Sequence, residues 1–143
     1  MVINSKEARK KLTFTWFIGC AILLLFFITQ QLLGKFEDKA SDAWAWISPN
    51  IFPFISLVSG GYLLDRNNRQ EKLVDRFYYR LTMICSLFYF VILILIVTIY
   101  PLSDKSIIDY YKSSTIFLVP IQSVVTGVIG IFFIKGNNTD HEK

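Results

Sequence analysis

Residues 13–33 form an almost uninterrupted apolar run that contains no charged side chain. At 1.5 Å per residue, about twenty helical residues cover the roughly 30 Å hydrocarbon layer of a bilayer. Three further apolar runs, 47–64, 81–100 and 115–134, have similar lengths. Because 53% of the 143 residues are hydrophobic, more than a soluble domain of this size usually buries, the pattern predicts an all-α integral membrane protein with four transmembrane helices.

The charged residues lie between and beyond these runs, and they predict the orientation of the chain. Eleven of the fifteen Lys and Arg residues fall in residues 1–12, 65–80 and 135–143, and the two remaining links carry the other four. Cytoplasmic segments of bacterial membrane proteins are enriched in Lys and Arg. We therefore predict an up-down antiparallel bundle over residues 13–134 in a bacterial inner membrane, with a cytoplasmic connector at 65–80 and two cytoplasmic tails.

Aromatic residues near the ends of the runs agree with this topology, because Trp and Tyr prefer the headgroup level of a membrane. Those predicted near the cytoplasmic boundary are Trp16, Tyr62, Tyr78 and Tyr79, and those predicted near the outer boundary are Trp44, Trp46, Tyr100, Tyr110 and Tyr111.

The connector, DRNNRQEKLVDRFYYR, is the most strongly charged segment of the chain. We interpret it as helical extensions of the second and third spans, in which Lys72, Arg76 and Arg80 recur every four residues as one basic stripe. The stripe can contact anionic lipid headgroups, dock a cytosolic protein, or bind an anionic small molecule. The docking candidates are Arg66, Arg69, Lys72, Arg76 and Arg80.

Small and neutral polar residues occur within the second and fourth runs. Pairs spaced four apart let another helix approach closely, either inside the bundle or between copies. Gln122 can hydrogen-bond a neighbouring helix or line a pore in an oligomer. The packing or pore candidates are Ser56, Gly60, Gln122, Ser123, Thr126, Gly127 and Gly130, and the predicted helix bends are Pro53 and Pro120.

The sequence contains no recognisable catalytic or cofactor-binding motif. The four runs lack ionisable Asp, Glu, Lys, Arg and His, and the single histidine, His141, lies in the C-terminal tail. Transporters that couple to ions usually place such a group at mid-membrane depth. Cys20 and Cys85 are predicted to be buried free thiols. We therefore predict a protein that is not an enzyme, needs no metal or cofactor and binds no nucleic acid.

Three segments, WAWISPNIFPFISLVSG at 44–60, RFYYRLTMICSLFYF at 76–90 and SSTIFLVPIQSVVTG at 113–127, resemble those of small bacterial four-helix membrane proteins. Some of these proteins are found beside antiphage or other conflict-system genes. The resemblance implies a membrane effector that a cytosolic partner activates and that acts by oligomerising into a pore or by disturbing the membrane. The alternative is a non-conducting accessory subunit of a larger membrane complex.

Overall fold

The computed structural model describes residues 2–66, 73–103 and 106–135. Four long helices make up nearly all of this part of the chain: α1 Ser5–Leu32, α2 Ala40–Arg66, α3 Arg76–Ile99 and α4 Ile107–Lys135. Two short strands, β1 Val2–Asn4 and β2 Leu73–Asp75, and two 3-10 helices, Glu37–Lys39 and Tyr100–Leu102, complete the described elements. The predicted all-α class is confirmed.

Polar side chains fix where α1 and α3 begin. The Asn4 side chain accepts a hydrogen bond from the Lys6 amide at 3.0 Å, and Asp75 accepts one from the Phe77 amide at 2.9 Å. Both caps end three-residue strands that pair antiparallel, with Ile3 opposite Val74.

Residues 5–12, part of the predicted cytoplasmic tail, form the first turns of α1. One prediction about the connector is wrong. Residues 73–75, predicted as part of a helical arm, are a strand, because the Asp75 cap delays the helix. The other end of α1 lies where predicted, since Gly34 has a φ of 69° and turns the chain after Leu32.

The neighbouring helix pairs are α1 with α2, α2 with α4, α4 with α3, and α3 with α1. Trp16 bonds Ser86, and Gln30, one helix length later, bonds Val97, so α1 and α3 run parallel. By the same argument α2 and α4 run parallel, because Trp46 stacks on Tyr111 and Gly61 meets Phe133. The consecutive helices α2 and α3 therefore face each other across the centre of the bundle.

Trp16 lies at the centre of the core. It is 1% exposed, stacks on Phe54 at 4.7 Å between ring centroids and contacts Phe90 at 4.6 Å. Its indole N–H donates to the Ser86 hydroxyl at 3.1 Å, and that hydroxyl donates to the Thr82 carbonyl. Trp16 therefore faces the interior of the bundle, where a polar partner satisfies its only donor. Its depth near the cytoplasmic boundary stays a prediction.

A second aromatic cluster lies at the end of the bundle away from the strand pair. Trp46 and Tyr111 are buried and stacked at 4.3 Å, and Tyr100 lies against Tyr111 at 5.3 Å. Trp44 is half-buried and donates to the Gln31 amide oxygen at 2.7 Å. Trp46 and Tyr111 therefore pack inside the bundle and do not face a surrounding solvent or headgroup layer.

Within the described residues, three helices are long and apolar enough to cross a membrane: Ser5–Leu32, Arg76–Leu102 with its terminal 3-10 turn, and Ile107–Phe133. α2 has a similar length but carries Pro49, Asn50 and Pro53 in its first half and Gly60 and Gly61 in its second half. These residues lower its apolar character, while packing against α1 and α4 holds it in the bundle.

Candidate functional site

Most of the predicted packing or pore residues lie on one outer surface of the bundle. On α2, Pro53, Ser56 and Gly60 follow each other at spacings of three and four residues, and Ser123, Thr126 and Gly130 repeat the pattern on α4. Because α2 and α4 are parallel neighbours, the two rows run side by side. We call these six residues, together with Gly127, the small-residue face.

The small-residue face is open. A Cβ atom placed on Gly60, Gly127 or Gly130 would meet no other atom within 4 Å. The hydroxyls of Ser123 and Thr126 donate to carbonyls of their own helix, at 3.0 and 2.8 Å. None of these three glycines is therefore a point of close contact between helices of the described bundle.

Two other glycines, which the sequence analysis did not single out, provide the close contacts inside the bundle. A Cβ atom on Gly61 would lie 2.5 Å from the Phe133 ring, and one on Gly19 would lie 2.7 Å from the Phe90 ring. Gly60 and Gly61 are adjacent and chemically identical, so no sequence signal distinguishes the outward glycine from the inward one.

Gln122 has a structural partner that follows from the position of Pro53. Proline lacks an amide N–H, so Pro53 leaves the Pro49 carbonyl, four residues earlier, without its helical donor. The Gln122 amide nitrogen donates to that carbonyl at 3.1 Å. Gln122 is thus a link between α4 and α2, and Pro53 and Pro120 both lie inside continuous helices.

We expect the Gln122 and Pro53 substitutions to be non-additive. Gln122→Leu should destabilise the bundle by about 1 kcal/mol, since it removes one interhelical bond and leaves the Pro49 carbonyl without a donor. In a Pro53→Ala background the restored amide satisfies that carbonyl, so the same change should cost less by roughly half or more. Unfolding of the four proteins in mixed detergent micelles measures the cycle, and equal costs in both backgrounds would contradict this role.

A network of aromatic and polar side chains crosses the centre of the bundle. Tyr89 is fully buried between Trp16 and Phe54, and its hydroxyl donates to the backbone and side-chain oxygens of Asn50 at 3.1 and 3.2 Å. Asn50 in turn donates to the Trp46 carbonyl at 2.6 Å. These hydrogen bonds join α2 to α3.

Arg9 is the residue that the sequence analysis most clearly missed. It was assigned to a solvated tail, yet it is 1% exposed. Its guanidinium donates to the Phe133 carbonyl at 3.0 Å and lies 5.2 Å from the centroid of the Phe133 ring. Phe133 lies in the last described turn of α4, so Arg9 of α1 caps this end of α4 from across the bundle.

The predicted basic stripe is only partly described. Arg69 and Lys72 lie outside the described residues, as does the side chain of Arg66, the last residue of α2. Arg80 is exposed and Arg76 is half-buried in the first turns of α3. The strand Leu73–Asp75 precedes Arg76, so helical spacing does not extend back to Lys72.

The described residues contain no group of three His, Cys, Asp or Glu side chains that could hold a metal ion. Cys20 and Cys85 are free thiols, Cys20 buried and Cys85 half-buried. His141 lies outside the described residues.

No protein-family model, curated protein or solved structure matches the chain.

Proposed function

We propose that the protein spans a bacterial inner membrane four times, with both termini cytoplasmic, and acts there as a homo-oligomeric, channel-like effector. Three sufficiently apolar helices, a fourth helix of matching length packed against two of them, and the concentration of Lys and Arg in the two tails and the connector support this topology. In this orientation the strand pair lies on the cytoplasmic side.

The observation that carries the proposal is the small-residue face. Small side chains let transmembrane helices approach closely, and such contacts drive association where lipid removes the usual hydrophobic driving force. Because Trp16, Phe54 and Tyr89 pack at the centre of the bundle and the small-residue face is open, copies assemble through α2 and α4, and the conducting path forms between copies. Ser56, Ser123 and Thr126 supply the hydroxyl groups along that path.

Control through the cytoplasmic connector is the second part of the proposal. A cytosolic partner binds the connector and shifts the assembly toward its active form, and the resemblance to proteins beside antiphage genes supports a role in defence. Replacing Arg69 and Lys72 by Gln should then abolish activation while leaving insertion intact, as measured by membrane fractionation and a cell-growth assay.

Cysteine cross-linking tests the assembly. In a Cys20→Ala/Cys85→Ala background, Gly127→Cys should form disulfide-linked dimers in native membranes under mild oxidation. Val91→Cys is the matched control, because Val91 is 54% exposed on α3, away from the small-residue face. Cross-linking at both positions to the same extent, or at neither, contradicts assembly through this face.

Conductance separates an effector from an accessory subunit. Native mass spectrometry should find a discrete homo-oligomer, and planar-bilayer recordings should show currents that Gly127→Leu abolishes, since a bulky side chain separates the helices. A non-conducting monomer that co-purifies with one larger membrane protein would instead identify an accessory subunit.

A further inference from the structure

The N-terminal ends of α1 and α3 lie side by side, because β1 and β2 pair immediately before them. The helices are parallel, so the positive ends of both helix dipoles lie at the same end of the bundle. Lys11 lies in the second turn of α1, and Arg76 and Arg80 lie in the first two turns of α3. Three cations are therefore found at the same end of this helix pair. We call the outer surface that α1 and α3 share the α1–α3 seam.

Lys11 already has an acidic neighbour that shows what it can bind. Its ammonium lies 2.7 Å from a Glu7 carboxylate oxygen, one helical turn earlier, and both side chains are more than half exposed. Water screens an exposed pair of this kind, so it holds Lys11 weakly. Lys11 can therefore exchange the carboxylate for a phosphate while this end of the seam stays positive.

Beyond the cations, both helices expose apolar side chains. Phe14 and Ile18 follow Lys11 at helical spacing and are 66% and 45% exposed, and Ile84 follows Arg80 on α3 and is 65% exposed. A surface that is cationic at one end and apolar along its length matches a molecule with an anionic head and a hydrocarbon chain. A free anion or an acidic soluble protein would use only the cations.

An apolar groove continues the seam. It is lined by Ile22, Leu23, Leu25, Phe26, Thr29 and Ile94. The contact between Gly19 and Phe90 precedes it, and the hydrogen bond from Gln30 to the Val97 carbonyl follows it. Lys11 and Ile22 are separated by about 16 Å of helix, roughly half the hydrocarbon thickness of a bilayer. The groove thus begins at the depth where the chain of a lipid in one leaflet ends.

We propose that the α1–α3 seam binds an anionic phospholipid of the cytoplasmic leaflet. The phosphate lies among Lys11, Arg76 and Arg80, and one acyl chain follows Phe14 and Ile18 to the mouth of the groove. This inference rests on the proposed membrane embedding and is independent of the proposed assembly, because the seam lies on α1 and α3 and the small-residue face on α2 and α4.

The test compares lipid binding to the full-length protein in detergent, after incorporation into nanodiscs has shown that it is embedded. Native mass spectrometry titrates dioleoyl phosphatidylglycerol against dioleoyl phosphatidylcholine, which carries the same chains. Each cation near the phosphate should strengthen lipid binding about fivefold, so Arg76→Gln/Arg80→Gln should weaken phosphatidylglycerol binding roughly 25-fold. Lys39→Gln/Lys112→Gln, at the other end of the bundle, removes the same charge and should change binding by less than about twofold.

Unchanged phosphatidylglycerol preference in the seam variant, or an equal loss in the control, would overturn the proposal. A competition experiment with inorganic phosphate distinguishes a lipid from a free anion. If phosphate displaces the lipid at concentrations matched to the lipid headgroup, the site binds a free anion and the lipid assignment fails. If the double variant does not fold, as judged by circular dichroism, the single variant Arg80→Gln replaces it, with an expected loss of about fivefold. Failure to enter nanodiscs would contradict the embedding itself.

Discussion

Replacing Arg9 by Ala should destabilise the bundle by about 3 kcal/mol or more. The substitution removes a charged donor to the carbonyl of Phe133, a buried residue in the last described turn of α4. It also removes the cation above the Phe133 ring, an interaction of up to about 2 kcal/mol when water is excluded. Chemical unfolding in mixed micelles should show this loss as a large shift of the transition midpoint.

Lys10→Ala is the matched control for this prediction. Lys10 is the next residue of the same helix and carries the same charge, but its side chain is exposed. Its replacement should change the free energy of unfolding by no more than about 0.5 kcal/mol. Arg9→Lys should fall between the two, because an ammonium keeps the charge but loses the planar fork of donors. Similar midpoints for the Arg9 and Lys10 alanine variants would show that Arg9 does not cap α4.

Gly61→Ala should destabilise the bundle by about 1–3 kcal/mol, while Gly60→Ala should stabilise it by up to about 1 kcal/mol. A methyl group on Gly61 lies 2.5 Å from the Phe133 ring, whose backbone carbonyl is bonded to Arg9, so the ring has little freedom to move away. A methyl group on Gly60 meets no atom within 4 Å and only improves the helix propensity.

The difference between these two variants is the informative quantity, because the substitutions are chemically identical and lie at adjacent positions of one helix. Unfolding midpoints measured under the same micelle conditions should lie on opposite sides of the wild type. Two equal shifts of either sign would mean that α2 and α4 do not approach each other at Gly61. Gly60→Ala also bears on assembly, because a loss of oligomers without a loss of stability is expected if the small-residue face joins copies.

The α2 helix shows how much of the candidate site can be predicted from the sequence. Pro53 is visible in the sequence, and its missing amide necessarily leaves the Pro49 carbonyl without a donor. Gln122 is visible too, as a polar amide within an apolar run. The hydrogen bond between Gln122 and the Pro49 carbonyl cannot be predicted from the sequence, because it requires α2 and α4 to be parallel neighbours. The local sequence pattern is equally compatible with a bundle in which α2 packs on α3.

By itself, the sequence determines the helical class, the presence of long apolar segments and the segregation of basic charge, because these follow from hydropathy, helix length and composition, which are local properties of the chain. It predicts four membrane spans, whereas three of the described helices are long and apolar enough to cross a membrane. Only the tertiary structure decides which glycine faces inward, why Arg9 is buried, and that Trp16 lies in the core. Each of these depends on a partner far away in sequence, namely Phe133 for Gly61 and Arg9, and Ser86 for Trp16. Burial and hydrogen bonding depend on contacts between residues that are distant in sequence, so they follow only from the packing arrangement of the four helices.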